Sequence, residues 1–161
     1  MADPVASRPG APDWLGGDEQ LPWSWAVERL DRERNYWIVS VRRDGHPQAR
    51  PVWGSWDDGT LYLSIGHGGL QRATPPDDDG RRDIQVHVDS AVDVVILEGT
   101  IERVSKAKGG IEPASGSVVE RYNEKYDWDA TPSLLNFAVR PRVAYGWANE
   151  DVKTATKWTF A

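Results

Sequence analysis

The sequence predicts a mainly β protein, a small antiparallel barrel with few helices. Several stretches are rich in aromatic and β-branched residues or alternate apolar and polar residues with period two, as strands do. Asp44-Gly45 and Asp58-Gly59 separate the first three of these stretches and supply the positive-φ residues of tight hairpin turns. About six short strands joined in this way favour a barrel, because closure removes exposed sheet edges.

Composition limits the classes of function. The chain has 161 residues, a net charge of −6 and no cysteine, so disulfides and thiolate chemistry are excluded and a cytoplasmic location is expected. An acidic chain lacks the basic face that nucleic acids require, and no stretch is apolar enough for a membrane span. We expect a flexible arm over residues 1–20 and one folded domain over residues 21–161.

The first three strands are predicted at residues 36–41, 46–56 and 60–65. The middle strand places Arg50 on the same face as Gly54, because side chains alternate between the two faces. Pro51 has no amide hydrogen and fits poorly in a central ladder. We therefore expect this strand to border an opening or a bulge at Pro51.

A glycine-rich loop follows the third strand, with the sequence Gly66-His67-Gly68-Gly69-Leu70-Gln71-Arg72. Glycines let the backbone approach a ligand closely and turn its N–H groups toward it, and the arginine adds a fixed positive charge. This combination suits a phosphate group. The alternative is a surface loop that contains an arginine by chance.

The remaining elements are assigned from periodicity and turn residues. Helices are expected at residues 21–30 and 117–128, and further strands at 84–88, 91–104, 134–147 and 153–160, with a bend at Gly99. Residues 74–83 are expected to form a loop that carries three consecutive aspartates. Strict alternation in the strand at 134–147 predicts one face made of Phe137, Val139, Val143, Tyr145 and Trp147.

No catalytic constellation of side chains is visible in the sequence. The histidines, His46, His67 and His87, lack the spacing of metal ligands. If the protein is an enzyme, a cofactor must carry the chemistry, and a flavin-type ring meets that requirement.

Several motifs in order resemble one known family. They are Arg-x-Asp-Gly-x-Pro at residues 42–47, Arg-Pro-Val-Trp-Gly-x-Trp at 50–56, Asp-Gly-x-Leu-Tyr-Leu-Ser at 58–64 and Gly-Gly-x-Gln-Arg at 68–72. The sequence is similar to the pyridoxamine 5′-phosphate oxidase-like split-barrel flavoproteins, and most similar to the actinobacterial branch that uses the deazaflavin coenzyme F-420. The acidic run Asp77, Asp78 and Asp79 departs from the family pattern. Three carboxylates near a phosphate site are unfavourable, because they repel the phosphate charge.

The resemblance implies a six-stranded antiparallel split barrel that binds coenzyme F-420, or alternatively FMN, as a homodimer with sites between the subunits. It implies hydride transfer to or from a small planar or unsaturated molecule, with no catalytic side chain assigned. The residues implied in cofactor binding are Arg50, Pro51, Val52, Trp53, Ser64, Gly66, Gly68, Gly69, Gln71, Arg72, Trp147, Lys157 and Trp158. For the last three, ordinary strand packing is the alternative. A non-catalytic carrier of flavin, haem or another tetrapyrrole, and a cofactor-free dimer, are the other functions that the sequence allows.

Overall fold

The computed structural model describes residues 3–10, 19–66, 70, 81–105 and 111–161. The described strands are β1 (Val5–Ser7), β2 (Tyr36–Val41), β3 (Pro47–Asp57), β4 (Thr60–Ser64), β5 (Arg82–Val88), β6 (Val94–Arg103), β7 (Phe137–Ala148) and β8 (Asp151–Thr159). The helices are α1 (Trp23–Arg32) and α2 (Gly116–Tyr126), with a 3-10 turn at Pro132–Leu134. No helix in this part of the chain is both long and apolar enough to cross a membrane.

Six strands close into a ring, and the other two extend it. The order β7-β4-β3-β2-β5-β6 is closed by the pairing of β6 with β7. Beyond the end of the β4 ladder, β7 pairs with β8 on the same edge, and β8 pairs with β1. All these pairings are antiparallel. The prediction of a mainly β, six-stranded antiparallel split barrel is confirmed.

Both predicted Asp-Gly turns form hairpins. Gly45 has φ +86°, and the Arg42 amide donates to the His46 carbonyl at 2.8 Å. Asp58 and Gly59 have φ of +35° and +84°, which is the left-handed backbone that a two-residue hairpin turn requires. These turns fix the register of β2 with β3 and of β3 with β4.

The core fills the barrel, and α1 covers one end of it. Ala26 and Leu30 of α1 are buried, while Trp23 packs edge-on against Trp56 and Trp158 at ring-centroid distances of 5.9 and 5.4 Å. Such edge-to-face pairs add to the free energy gained by burying the rings. The predicted amphipathic helix and its aromatic face are therefore confirmed, with the helix displaced about two residues toward the C-terminus.

A bulge in β7 corrects the predicted alternation. Glu98 pairs with Val143 and Gly99 with Pro141, so Arg142 is an additional residue in β7. The buried side changes there from Phe137 and Val139 to a second set, Ala144, Gly146 and Ala148. The prediction was wrong for Val143, Tyr145 and Trp147, which lie half-buried on the outer face. The register shift lies between Glu98 and Gly99, where the sequence predicted a bend.

Parts of two segments that were predicted as loose lie in strands. Residues 5–7 of the predicted arm form β1, and Ala6 packs against the core opposite Trp158. The loop predicted at 74–83 ends earlier, because Arg82 and Asp83 already pair with β6. The aspartates of that loop, Asp77, Asp78 and Asp79, lie outside the described residues.

Candidate functional site

One half of β3 has a free edge in the described part of the chain. Residues 47–52 pair with β2, but pairing with β4 begins only at Trp53, opposite Ser64. Among the described strands, only β2 pairs with Pro51, and the opening or bulge expected there stays a prediction. An edge of this kind presents backbone polar groups that a planar ligand with hydrogen-bonding atoms can use.

The side chains along this half differ between the two faces. Arg50 lies opposite the buried Ile38, so it stands at the rim of the barrel interior, and its Nη2 donates to Gln48 Oε1 at 3.3 Å. Val52 on the same face is half-buried against the core, whereas Pro51 on the outer face is exposed. A guanidinium and a free backbone edge thus occur together.

The Trp53 ring is already covered. It stacks on Tyr126 of α2 at 4.5 Å with an interplanar angle of 11°, and the edge of Trp128 lies 6.3 Å away. The Arg34 guanidinium lies 5.8 Å from the same ring. The structure therefore assigns the Trp53 ring to the contact with α2, and its backbone lies where pairing with β4 begins.

The start of the glycine loop is anchored by a residue that the sequence reasoning missed. Asn136 accepts a hydrogen bond from the Ile65 amide at 3.1 Å and donates to the Ile65 carbonyl at 2.9 Å. Leu70, further along the loop, is buried with 6% exposure. Gly66 between them is exposed, and a Cβ there would meet nothing within 4 Å. The only signal in the sequence was a polar residue directly before β7.

The rest of the predicted phosphate loop is not described. Gly68, Gly69, Gln71 and Arg72 lie outside the described residues. Ser64 at the end of β4 is half-buried, and its side chain hydrogen-bonds Tyr122 of α2. Burial raises the pKa of Tyr122, and this hydrogen bond opposes that rise.

The three aromatic and basic residues predicted near the C-terminus separate into two groups. Trp158 is fully buried, and its Nε1 donates to the Leu21 carbonyl at 3.2 Å, so it has the core-packing role that the sequence left open. Trp147 and Lys157 are half-buried on the outer face. Neither is on a strand next to β3, because β4 lies between β3 and the strand of Trp147, and both β4 and β7 lie between β3 and the strand of Lys157.

Cross-strand neighbours form a continuous row on the outer face, called here the outer row. Successive ladder pairs join its members, which are Pro51, Trp37, His87, Ile96, Tyr145, Lys157 and Ser7. Trp37 and His87 are stacked with an interplanar angle of 8°. All except the exposed Pro51 are half-buried, so the row offers apolar and aromatic surface beside the free edge of β3.

A cavity of about 560 Å³ lies elsewhere, between α1, the β3–β4 turn and Phe160. Its described lining includes the acidic residues Asp3, Glu28, Asp31, Asp57 and Asp58. Arg121 also lines it but is bound to Asp57 at 2.7 Å. The excess of negative charge opposes phosphate binding, and none of the predicted cofactor residues is in this lining. Within the described residues, no group of three or more His, Asp or Glu could hold a metal ion.

Comparison with known proteins gives similarity of structure without similarity of sequence. No protein-family model matches the chain, and no curated protein matches it in sequence. A conserved hypothetical protein from Mycobacterium tuberculosis is 17% identical with a TM-score of 0.54, over 84% of this chain and 90% of that one. A protein related to general stress protein 26, of the pyridoxinephosphate oxidase family, from Clostridium acetobutylicum is 9% identical with a TM-score of 0.53, over 84% and 92%.

A third structure, a FAD-binding protein from Mesorhizobium loti, is 13% identical with a TM-score of 0.50. The matched region is 88% of this chain and 96% of that protein. The chain therefore has the split-barrel fold seen in the pyridoxinephosphate oxidase family, and the resemblance read from its motifs is confirmed at the level of the fold.

Proposed function

We propose that the protein is an oxidoreductase that transfers a hydride between coenzyme F-420, or FMN, and a small planar or unsaturated organic molecule. The observation that carries this proposal is the edge of β3 at residues 47–52, which includes Arg50, lies near the entry to the glycine loop and pairs with β2 alone among the described strands. In a flavin or deazaflavin the ring supplies the hydride chemistry, and the protein supplies orientation and a site that excludes water.

The described residues fit such a ring in part. Backbone groups of residues 50–53 would meet the polar edge of the ring, and Ser64 and Gly66 would begin the phosphate site. The undescribed loop would complete it with Gly68, Gly69, Gln71 and Arg72. Gly66 supports this arrangement, because no described residue occupies the space where its side chain would be. The family resemblance of the motif Gly-Gly-x-Gln-Arg is the reason to propose F-420 before FMN.

The proposed active form is a homodimer with its cofactor sites between the subunits. The outer row supports it, because it joins Pro51 at the free edge to Lys157 on one half-buried face. In a two-fold dimer whose axis crosses the middle of the row at right angles, a residue at one end of the row meets residues near the other end of the partner's row. Lys157 and Trp147 would then approach the partner's site, as expected from the sequence. A cytoplasmic location remains a prediction.

A non-catalytic carrier of flavin, haem or another tetrapyrrole is the second candidate. Arg50 is the one ionisable residue in segment 50–53. This segment therefore provides no side chain suited to act as an acid or a base, which favours a carrier. The absorption spectrum of the purified protein separates the two functions. A tightly held chromophore that no hydride donor reduces supports the carrier.

The loop assignment is tested by replacing Arg72 with Ala. Loss of a charge-assisted phosphate contact is expected to weaken FMN or F-420 binding by about 1.5 to 3 kcal/mol. Arg32→Ala is the matched control, since Arg32 is an exposed arginine in the last turn of α1. Equal affinity of the two variants and the wild type removes the phosphate role of Arg72.

A further inference from the structure

A half-buried lysine lies where four elements of the barrel meet. Lys125 of α2 extends its Nζ between the end of α1, the first residue of β2 and the middle of β3. It donates to Tyr36 Oη at 3.0 Å and to the Gly54 carbonyl at 3.4 Å. Placing an ammonium group in a site of this kind costs hydration free energy, so its contacts call for an explanation.

These contacts take the place of pairing with β2, which does not reach Gly54. The ladder of β2 with β3 ends at the pair of Tyr36 with Val52, so Gly54 has no partner from β2. Tyr126 Oη accepts from the Gly54 amide at 3.0 Å and also lies 3.1 Å from the Gly54 carbonyl. Two side chains of α2 therefore hold both backbone polar groups of Gly54.

The same network fixes the surroundings of Gly54. The Tyr36 hydroxyl donates to the Leu30 carbonyl at the end of α1, and the Tyr126 hydroxyl lies 2.7 Å from the Arg34 carbonyl. The Tyr126 ring stacks on Trp53, the residue before Gly54. A shift of α2 would therefore be passed directly to the backbone at Trp53.

We propose that Lys125 is a positioning residue for the cofactor strand, whose ammonium group holds the Gly54 carbonyl and so sets the position of the backbone edge at residues 50–53. This inference rests on the proposed function, because that edge is where the ring is proposed to bind. This hydrogen bond from Lys125 to Gly54, called here the clamp, depends on the charge of Lys125. A charged donor forms a stronger hydrogen bond than a neutral amine does.

Titration of Lys125 falls in an accessible pH range. Burial lowers its pKa from 10.5 to about 8; Asp31 and Glu33 oppose this effect, and Arg121 adds to it. Burial raises the pKa of Tyr36, and raises that of Tyr126 to about 12, so both phenols stay protonated near pH 8. Burial also raises the pKa of Asp31. The groups that face Lys125 from the packed elements are Asp31, Glu33, Arg34, Tyr36, Arg121, Tyr122 and Tyr126.

The test is a titration with FMN and with F-420, in parallel, at pH values from about 6.5 to 9.5. Wild type is expected to lose affinity roughly threefold or more as the pH passes 8. Lys125→Met is expected to bind weakly and without this pH dependence. Lys125→Arg should retain affinity at high pH, because arginine stays protonated there. Lys153→Met, at an exposed lysine of β8, is the control and should behave as wild type.

A second readout uses the protein without cofactor. The amide NMR signal of Gly54 and the indole signal of Trp53 are expected to titrate near pH 8 in wild type and not in Lys125→Met. If these signals titrate while cofactor affinity stays flat, the positioning role is overturned and the proposed function stands. If neither ring binds at any pH, the proposed function and this role both fail. Tyr36→Phe, which removes the phenol oxygen but keeps the ring, should shift the midpoint if Lys125→Met does not fold.

Discussion

The two halves of β3 behave as different structures within one strand. Residues 54–57 pair with β4, and Gly54, Ser55 and Trp56 are buried. Residues 47–52 pair only with β2 among the described strands and are exposed or half-buried. Residues 54–57 stabilise the barrel. Substitutions in residues 47–52 are expected to change the free energy of unfolding much less. The proposed binding edge exists because β4 ends at Ser64, opposite Trp53.

The sequence explains where the change occurs. β4 has five residues and ends at Ser64, so it cannot cover the first half of β3. Pro47 and Pro51 lie in that half, and proline is tolerated at a strand edge because it has no amide to pair. Gly54 marks the boundary, where side chains of α2 take over from β2.

The largest predicted effect comes from the buried half. Trp56 is 3% exposed and packs against Trp23, so Trp56→Ala is expected to lower the free energy of unfolding by about 3 to 5 kcal/mol. Val52→Ala, in the half-buried part of the same face, should cost about 1 kcal/mol. Urea unfolding followed by circular dichroism gives both values. Similar losses for the two variants would remove the distinction between the halves.

A smaller effect is predicted at the boundary. A Cβ on Gly54 would lie 2.6 Å from the Tyr62 carbonyl oxygen and 2.7 Å from Leu63 Cδ2. Gly54→Ala should therefore destabilise the protein by about 1 to 3 kcal/mol through overpacking. Gly116→Ala is the control, since a Cβ at that helix start meets nothing within 4 Å. Equal unfolding midpoints for both variants would show that the backbone at Gly54 can move.

The lowered pKa of Lys125, which contacts Gly54 at this boundary, predicts that stability depends on pH. The pKa of Lys125 in the folded protein, about 8, is below its value of 10.5 when unfolded, so the unfolded chain binds more protons between these values. The stability of wild type should therefore rise relative to Lys125→Met as the pH goes from 8 toward 9.5. Denaturant titrations at these pH values measure it. A constant difference would contradict the lowered pKa.

The smallest effect on stability is predicted for the open half. Arg50→Gln should change the free energy of unfolding by no more than about 0.5 kcal/mol, because Arg50 stands at the rim. Its effect should appear in cofactor binding. Thermal unfolding with and without FMN separates the two, because a ligand at about 100 times its Kd adds about 2.7 kcal/mol. A strongly destabilised variant would make Arg50 a structural residue.

Local patterns in the sequence were sufficient for most of the fold. The strand at Tyr36–Val41 was predicted with its observed ends, and both hairpins followed from Asp-Gly pairs that need positive φ. The six-strand ring followed from the family resemblance. Alternation failed in β7, because the additional residue Arg142 reverses the side on which the following residues lie, and no local signal marks that position.

The candidate site was less accessible to sequence reasoning, because it depends on contacts between distant segments. An opening or a bulge beside Pro51 was predicted because proline has no amide hydrogen, and in the described strands Pro51 pairs only with β2. The roles of Asn136 and Lys125 were not, since each acts on the backbone of a strand more than sixty residues away. Glu102 of β6 is also buried, with 8% exposure, and its carboxylate lies 3.9 Å from the Arg81 guanidinium.

The most direct test of the account is a parallel titration of the protein with FMN and coenzyme F-420, followed by fluorescence. The account predicts saturable binding of one of them, weakened about tenfold or more in Arg50→Gln while the unfolding midpoint stays unchanged. If neither ring binds, or if Arg50→Gln binds as tightly as wild type, the free edge of β3 is not the cofactor site.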